Sequence, residues 1–191
     1  MHKVKLGDFN TLVFPDGYYS LSESQLKIIT EWAKNGGRII AFEGGARAFA
    51  DKDGFDLKMK AEPKKDSTDA PKPYRMRERE RISDQLPGAI VRAKTDNSHP
   101  LAFGLPEVYF SLKTSSNAYQ MPEKAVAAVY LEDSYQSYGF IGSRVKPKLK
   151  KTPVAMAQRM GDGQAIFFVD NPLFRCFWEQ GKMLFANAVF Y

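Results

Sequence analysis

Short apolar runs, separated by Pro, Gly, Asp and Asn, dominate the chain, and one amphipathic stretch interrupts them early. Thr11–Phe14 (TLVF) is closed by Pro15-Asp16-Gly17, which predicts a strand followed by a turn. Ser22 precedes Glu23 and Gln25 in a capping-box arrangement, with Ser20 and Glu23 as the alternative start. Leu26, Ile29, and Trp32 or Ala33 then recur at helical spacing to about Asn35. Gly36-Gly37 ends this helix, because glycine takes the left-handed C-cap conformation without steric cost. Arg38–Phe42 (RIIAF) is the next strand and runs directly into Glu43-Gly44-Gly45-Ala46. A strand, a helix and a strand with connections this short predict a parallel βαβ unit, and so an α/β fold.

After about Leu57 the pattern breaks. Residues 58–87 read as a long charged insertion with a helical stretch over 75–82. Regularity returns at 89–93, and SHPLAFGLP (98–106) makes a connection punctuated by Pro and Gly. Residues 108–112, 125–131, 138–141, 153–158 and 165–169 predict five further short strands, so the second half is strand-rich. The KPKLKK cluster at 146–151 reads as an exposed hairpin tip or loop. At the end come a tight turn (Gly161-Asp162-Gly163), a buried strand, a polar break (Asp170-Asn171-Pro172) and an amphipathic helix. Thr11–Phe14 resembles the second strand of a doubly wound domain with too few residues before it for a full βα unit. The expectation is a polypeptide that extends upstream of Met1, or else a smaller sheet.

Composition narrows the classes. The 191 residues are 43% hydrophobic and 13% aromatic, the balance of one globular domain spanning 1–191. No apolar run approaches the ~20 residues that cross a bilayer, and Met1 to Asn10 hold no apolar stretch of the signal-peptide kind. The net charge of +6 is concentrated in 58–81, where nine Lys/Arg stand against five Asp/Glu. Mixed charge with Tyr74 as its one aromatic predicts a solvated arm, not a nucleic-acid surface.

Candidate chemistry sits at the turn after Arg38–Phe42, since open α/β sheets bind ligands beyond the carboxyl ends of their strands. Glu43, Gly44 and Gly45 are therefore the candidate ligand-site turn. Glu43 has three open roles: bonding backbone amides at the turn, touching a ligand, or acting as an acid or base. Cys176, beside Arg175, reads as a packed and inert thiol, because the only histidines are His2, near the terminus, and His99, in a turn. Two histidines and one cysteine also predict no metal site and no cofactor in this chain. Asp170 and Arg175 are a candidate buried ion pair pinning strand to helix, with anion binding as the other use of Arg175. Phe167, Phe168, Phe174, Phe177, Trp178, Phe185 and Phe190 read as core. Tyr18, Tyr19, Tyr135 and Tyr138 are harder to bury and are candidates for a binding surface.

Four segments carry a resemblance: TLVFPDG (11–17), GGRIIAFEGGA (36–46), HPLAFGL (99–105) and GDGQAIFFVDNPLFRCFW (161–178). Together they resemble the glutamine-amidotransferase-like domain that follows the catalytic domain in a group of bacterial zinc carboxypeptidases. The resemblance implies a three-layer, flavodoxin-like, class I glutamine-amidotransferase-like fold. In class I amidotransferases the turn carries a Gly-x-Cys-x-Gly nucleophile elbow with later His and Glu partners, whereas here Phe42-Glu43-Gly44-Gly45-Ala46 has no nucleophile. It therefore implies a non-catalytic accessory domain of a zinc carboxypeptidase, with zinc only in the parent peptidase domain. That upstream domain of the same polypeptide would be its partner, with peptide or glycan as further ligands, in a periplasmic or extracellular setting. The alternatives are a peptide- or carbohydrate-binding module, or a stand-alone hydrolase using Glu43 or Cys176.

Overall fold

A computed structural model describes residues 5–61 and 73–191. His2 and the part of the charged insertion at 62–72 lie outside the described residues.

Ser22 starts the first helix, α1 (Glu23–Lys34), through a reciprocal cap. Its Oγ accepts from the Gln25 amide at 3.2 Å, and the Gln25 side chain accepts from the Ser22 amide at 2.9 Å, which satisfies two otherwise orphaned donors. Gly36, at φ 102, turns the chain out of the helix. The helix thus joins β1 (Thr11–Phe14) to β2 (Arg38–Phe42) as parallel neighbours, registered from Thr11 opposite Arg38 to Phe14 opposite Ala41.

The remaining strands are β3 (Gly88–Thr95), β4 (Val108–Lys113), β5 (Val126–Leu131), β6 (Ser137–Phe140), β7 (Thr152–Met160) and β8 (Gly163–Phe168). They form one sheet in the order β1-β2-β8-β7-β5-β3-β4, with β6 also paired to β3. Among the described residues, only β1, β2 and β8 run parallel, and every other pairing is antiparallel. Each strand expected in the second half is present. Gly161, at φ 59, makes the tight turn between β7 and β8.

Alternation along the central strands builds two cores on opposite faces of the sheet. Ile39, Ala41 and Phe167 face α1 and the 49–57 segment, packing with Ile29, Ala33, Phe49 and Leu57. Ile40, Phe42, Ile166 and Phe168 face the terminal helix α5 (Glu179–Phe190), with Leu184 and Ala188. Helix, sheet and helix are the three layers expected. Between β2 and β3 lie the short helix α2 (Gly44–Arg47) and α3 (Tyr74–Ser83), the latter covering the helical stretch foreseen in the insertion and one residue beyond it at each end.

Three expectations need correction. KPKLKK is not a hairpin tip: it overlaps a short helix, α4 (Val145–Lys148), anchored by the buried Val145 and Leu149. The terminal helix begins later than Pro172, because a 3-10 turn at Phe174–Cys176 intervenes, with Arg175 and Cys176 both left-handed. The aromatic core is also smaller. Phe167 and Phe168 are buried, but Phe177 and Phe190 are exposed, since the left-handed turn and the end of α5 direct them away from the sheet. Trp178 instead donates its indole N–H to the Phe110 carbonyl at 2.6 Å, so the start of α5 covers the outer edge of β4.

Candidate functional site

At the carboxyl end of β2 the chain makes an abrupt strand-to-helix elbow centred on Glu43. Glu43 has φ 49 and ψ −116, a conformation that non-glycine residues seldom adopt. Its amide donates to the Phe168 carbonyl at 3.1 Å, and its carbonyl accepts from the Arg47 amide at 3.0 Å. Gly44 and Gly45 are demanded by packing. A Cβ on Gly44 would collide with the Gly17 carbonyl, and one on Gly45 with the carbonyls of Phe14 and Pro15. The Pro15-Asp16-Gly17 turn after β1 and the glycines after β2 are therefore two halves of one construction.

Asp16 completes it by accepting the Gly44 amide at 3.0 Å. The role of bonding the turn's amides, expected of Glu43, thus belongs to Asp16. The Glu43 carboxylate lies within hydrogen-bond reach of Asp16 and accepts the Thr114 hydroxyl at 2.8 Å, just beyond the end of β4. Burial pushes the Glu43 carboxyl above the usual glutamate range; the Thr114 hydrogen bond lowers it in part, and the charges of Asp16 and Asp170 push it up again.

Behind Glu43, Asp170 lies two residues past the end of β8 and is only 4% exposed. Its two oxygens accept from the Lys113 ammonium at 2.8 Å and the Ser111 hydroxyl at 2.6 Å. The expected Asp170–Arg175 pair is therefore not made. The left-handed backbone at Arg175 leaves that side chain exposed, its guanidinium 5.3 Å from the Phe174 ring centre. The partner is Lys113, which is fully buried. Strand β4 is last in the sheet order, yet the sheet curls enough that its alternate residues Tyr109, Ser111 and Lys113 turn inward and reach Asp170. Burial first, and Asp170 second, push the Tyr109 hydroxyl well above the usual range, keeping it neutral. The sequence reading missed Ser111, Lys113 and Thr114. Their one signal was that Ser111 and Lys113 share the period-2 face of β4 with Tyr109.

A cleft of about 710 Å³ opens onto Glu43 and Gly44, bordered by Asp16, Tyr18, Tyr19, Arg47, Lys52 and Asn117 among others. Two of the four surface tyrosines therefore sit at the elbow. Tyr135 instead commits its hydroxyl to the Lys146 carbonyl at 2.9 Å, while Tyr138 is exposed on β6. Cys176 is exposed, not packed, because the left-handed turn carries it outward. His99 accepts the Leu101 amide through Nδ1 at 3.1 Å, and burial lowers its pKa while Asp96 opposes this. It groups with Gly37, Arg38 and Gln164, at the opposite end of the five-residue strand β2 from Glu43. A strand of that length separates the two by roughly 16 Å. Among the described residues, no three His, Cys, Asp or Glu side chains gather as metal ligands, and no helix is long and apolar enough to cross a membrane.

No family model and no curated protein matches the sequence. Solved structures do share its fold. A β-galactosidase from Bacillus circulans sp. alkalophilus superposes with a TM-score of 0.59 and 12% identity, over 96% of this chain and 22% of that one. The chain thus spans about a fifth of that enzyme's length. A protein described as a GMP synthase subunit from Thermoplasma acidophilum gives 0.56 and 12%, over 96% and 73%. A protein described as ThuA-like from Parabacteroides merdae gives 0.54 and 15%, over 98% and 71%. This chain has the flavodoxin-like α/β fold of the class I glutamine-amidotransferase type.

Proposed function

We propose that this chain is a non-catalytic accessory domain of a larger bacterial zinc carboxypeptidase, exported to the periplasm or beyond. The observation that carries the reading is the occupant of the elbow. Acyl transfer by an amidotransferase needs a thiolate or alkoxide there and a base within hydrogen-bond reach. Glu43 holds that position with its carboxylate bonded to Thr114, and the nearest described histidine lies at the other end of the strand. The frame is kept and the nucleophile is not.

Two further observations support attachment to a larger enzyme. The segments at 11–17, 36–46, 99–105 and 161–178 resemble the accessory domain of such carboxypeptidases. The same fold also occurs as 22% of a β-galactosidase chain, so it is found as one part of a larger enzyme. In this reading zinc belongs to the parent peptidase domain, which is the partner of this one.

The test has two arms. The isolated chain should turn over neither glutamine nor a panel of esters and peptides; turnover abolished by Glu43→Gln would overturn the non-catalytic reading. Mass spectrometry of the native polypeptide in its source cells should find tryptic peptides upstream of Met1 containing a His-x-x-Glu zinc motif. A native product with no peptidase sequence would remove the carboxypeptidase and leave the elbow argument intact.

A further inference from the structure

One side of strand β3 changes partner along its length. It pairs with β6 from Gly88 to Val91 and with β5 at Lys94 and Thr95. Between these pairings six residues, 131–136, stand opposite only Arg92 and Ala93, so the chain bows out of the sheet there. The bow is held in place. The Arg92 amide donates to the Gln136 carbonyl at 2.9 Å, the Tyr135 hydroxyl donates to the Lys146 carbonyl at 2.9 Å, and Asp133 pairs with Lys150 at 3.8 Å. A cleft of about 660 Å³ lies between the bow and β3, and it shares no lining residue with the elbow cleft.

The sheet beside this cleft presents aromatic rings to solvent. Residues directly opposite in an antiparallel pair share a face. Arg92 opposes Phe110, Lys94 opposes Val108, and Ile90 lies between Leu112 and Tyr138. On that face Phe110 is 37% and Tyr138 58% exposed, whereas the other face buries Val91, Ala93 and Tyr109. Arg92 therefore stands between two open rings, one on each neighbouring strand. Inside the cleft, Lys94 and Glu132 answer each other at 3.5 Å. Arg92, Glu107, Ser134 and Gln136 also line it, and among the described residues their side chains have no hydrogen-bond or ion-pair partner. Two cations and two carboxylates leave the cleft without net charge.

We propose that this cleft and the rings beside it bind a neutral oligosaccharide. A sugar unit in the cleft takes hydrogen bonds from Arg92 and Gln136 and gives them to Glu107. These planar groups each offer two atoms to adjacent hydroxyls, and the charged ones make the stronger bonds. Neighbouring units lay their C–H faces on Phe110 and Tyr138, which the sheet already holds in position. Other ligand classes fit less well. A nucleic acid would bring its phosphates against Glu107 and Glu132, and a basic peptide would meet Arg92 and Lys94. An apolar protein surface would strip water from the charges and give them no new partner. The inference stands on β3, β4, β6 and the 131–136 bow and does not need the carboxypeptidase reading.

Calorimetric titration of the whole chain tests it, with cellotetraose, xylotetraose, maltotetraose, mannotetraose and chitotetraose as neutral sugars. Single-stranded oligothymidylate and tetralysine are the charged controls. At least one tetrasaccharide should bind saturably at millimolar concentration or below. Tyr138→Ala and Arg92→Ala should each weaken that binding about tenfold or more. Both side chains are exposed, so neither substitution should move the thermal unfolding curve. Arg92→Lys keeps the charge but loses the planar fork, and it should weaken binding as well. Ile28→Ala, at an exposed apolar position on α1, should bind like the parent. The proposal is overturned if none of the tetrasaccharides binds at millimolar concentration, or if oligothymidylate or tetralysine binds in their place. It is equally overturned if Tyr138→Ala or Arg92→Ala binds as the parent does, or if Ile28→Ala abolishes binding. Such a failure leaves the accessory-domain reading untouched, whereas turnover in the substrate panel would sink that reading without touching this one.

Discussion

The parallel strands and the antiparallel strands of this sheet build one site by opposite means. Strands β1, β2 and β8 run parallel, and each delivers an acid just past its carboxyl end: Asp16, Glu43 and Asp170. That placement follows from chain direction alone, because parallel strands all finish on the same edge. The antiparallel strands supply what those acids bond to. Ser111, Lys113 and Thr114 come from β4 and the residue after it, last in the sheet order, and reach the acids only because the sheet curls. The parallel part concentrates charge by local connections, and the antiparallel part makes that charge tolerable through long-range packing.

If that division is right, the largest single effect belongs to Lys113. Lys113→Met should destabilise by about 3–5 kcal/mol in urea unfolding, because it strands the Asp170 carboxylate in a buried site. Adding Asp170→Leu should recover most of the loss, since apolar side chains of similar volume replace buried pairs at little cost. A single-variant loss below about 1 kcal/mol would mean that the pair behaves like a solvated one and that β4 does not hold the site. Gly45→Ala attacks the parallel side. Its Cβ would meet the Phe14 and Pro15 carbonyls, and a loss of about 1–3 kcal/mol is expected from overpacking. An unchanged melting temperature would show that the turn after β1 can retreat.

The same division explains what could be read in the sequence. The parallel part was legible because its signals are local: TLVF before Pro15-Asp16-Gly17, the Ser22 cap, Gly36-Gly37, and RIIAF before Glu43. Strand β4 was legible as a strand, but its role was not. That a lysine 57 residues before Asp170 is its partner depends on the curl of the sheet, which no spacing records. Arg175 looked the better partner by proximity, yet a left-handed backbone that few non-glycine residues adopt turns it outward. The same turn exposes Cys176 and Phe177, so three misplacements share one cause. The exchange of roles between Asp16 and Glu43 was hidden for a similar reason: both acids reach the Gly44 turn, and only its geometry decides which one bonds the amide.

A local device far from the site calibrates these numbers. Ser22→Ala removes the α1 cap and should cost about 1 kcal/mol, with Ser22→Gly costing only a few tenths of a kcal/mol. Because the cap touches neither the elbow nor β4, its effect should add to that of Lys113→Met. A marked departure from additivity would tie α1 to the curled half more closely than the packing suggests.

The smallest effect separates the charge of Glu43 from its shape. Burial, and after it the neighbouring acids, raise the Glu43 pKa in the folded chain, despite the Thr114 hydrogen bond. The folded state therefore holds a proton on Glu43 at pH values where the unfolded chain has already released it. By linkage, stability falls as pH rises from the ordinary glutamate range through the raised folded value, then levels off. Glu43→Gln keeps an oxygen that can accept from Thr114 but has no proton to exchange. Its stability gain over the parent should be near zero at pH 4, grow with pH, and reach a plateau by neutrality. Solvent screening at this half-buried position keeps that gain below the Ser22→Ala effect. Urea unfolding of both proteins at pH 4, 5.5 and 7 measures it. A difference that does not vary with pH would mean that the elbow does not penalise the charge, and that Glu43 holds its strained turn by hydrogen bonding alone.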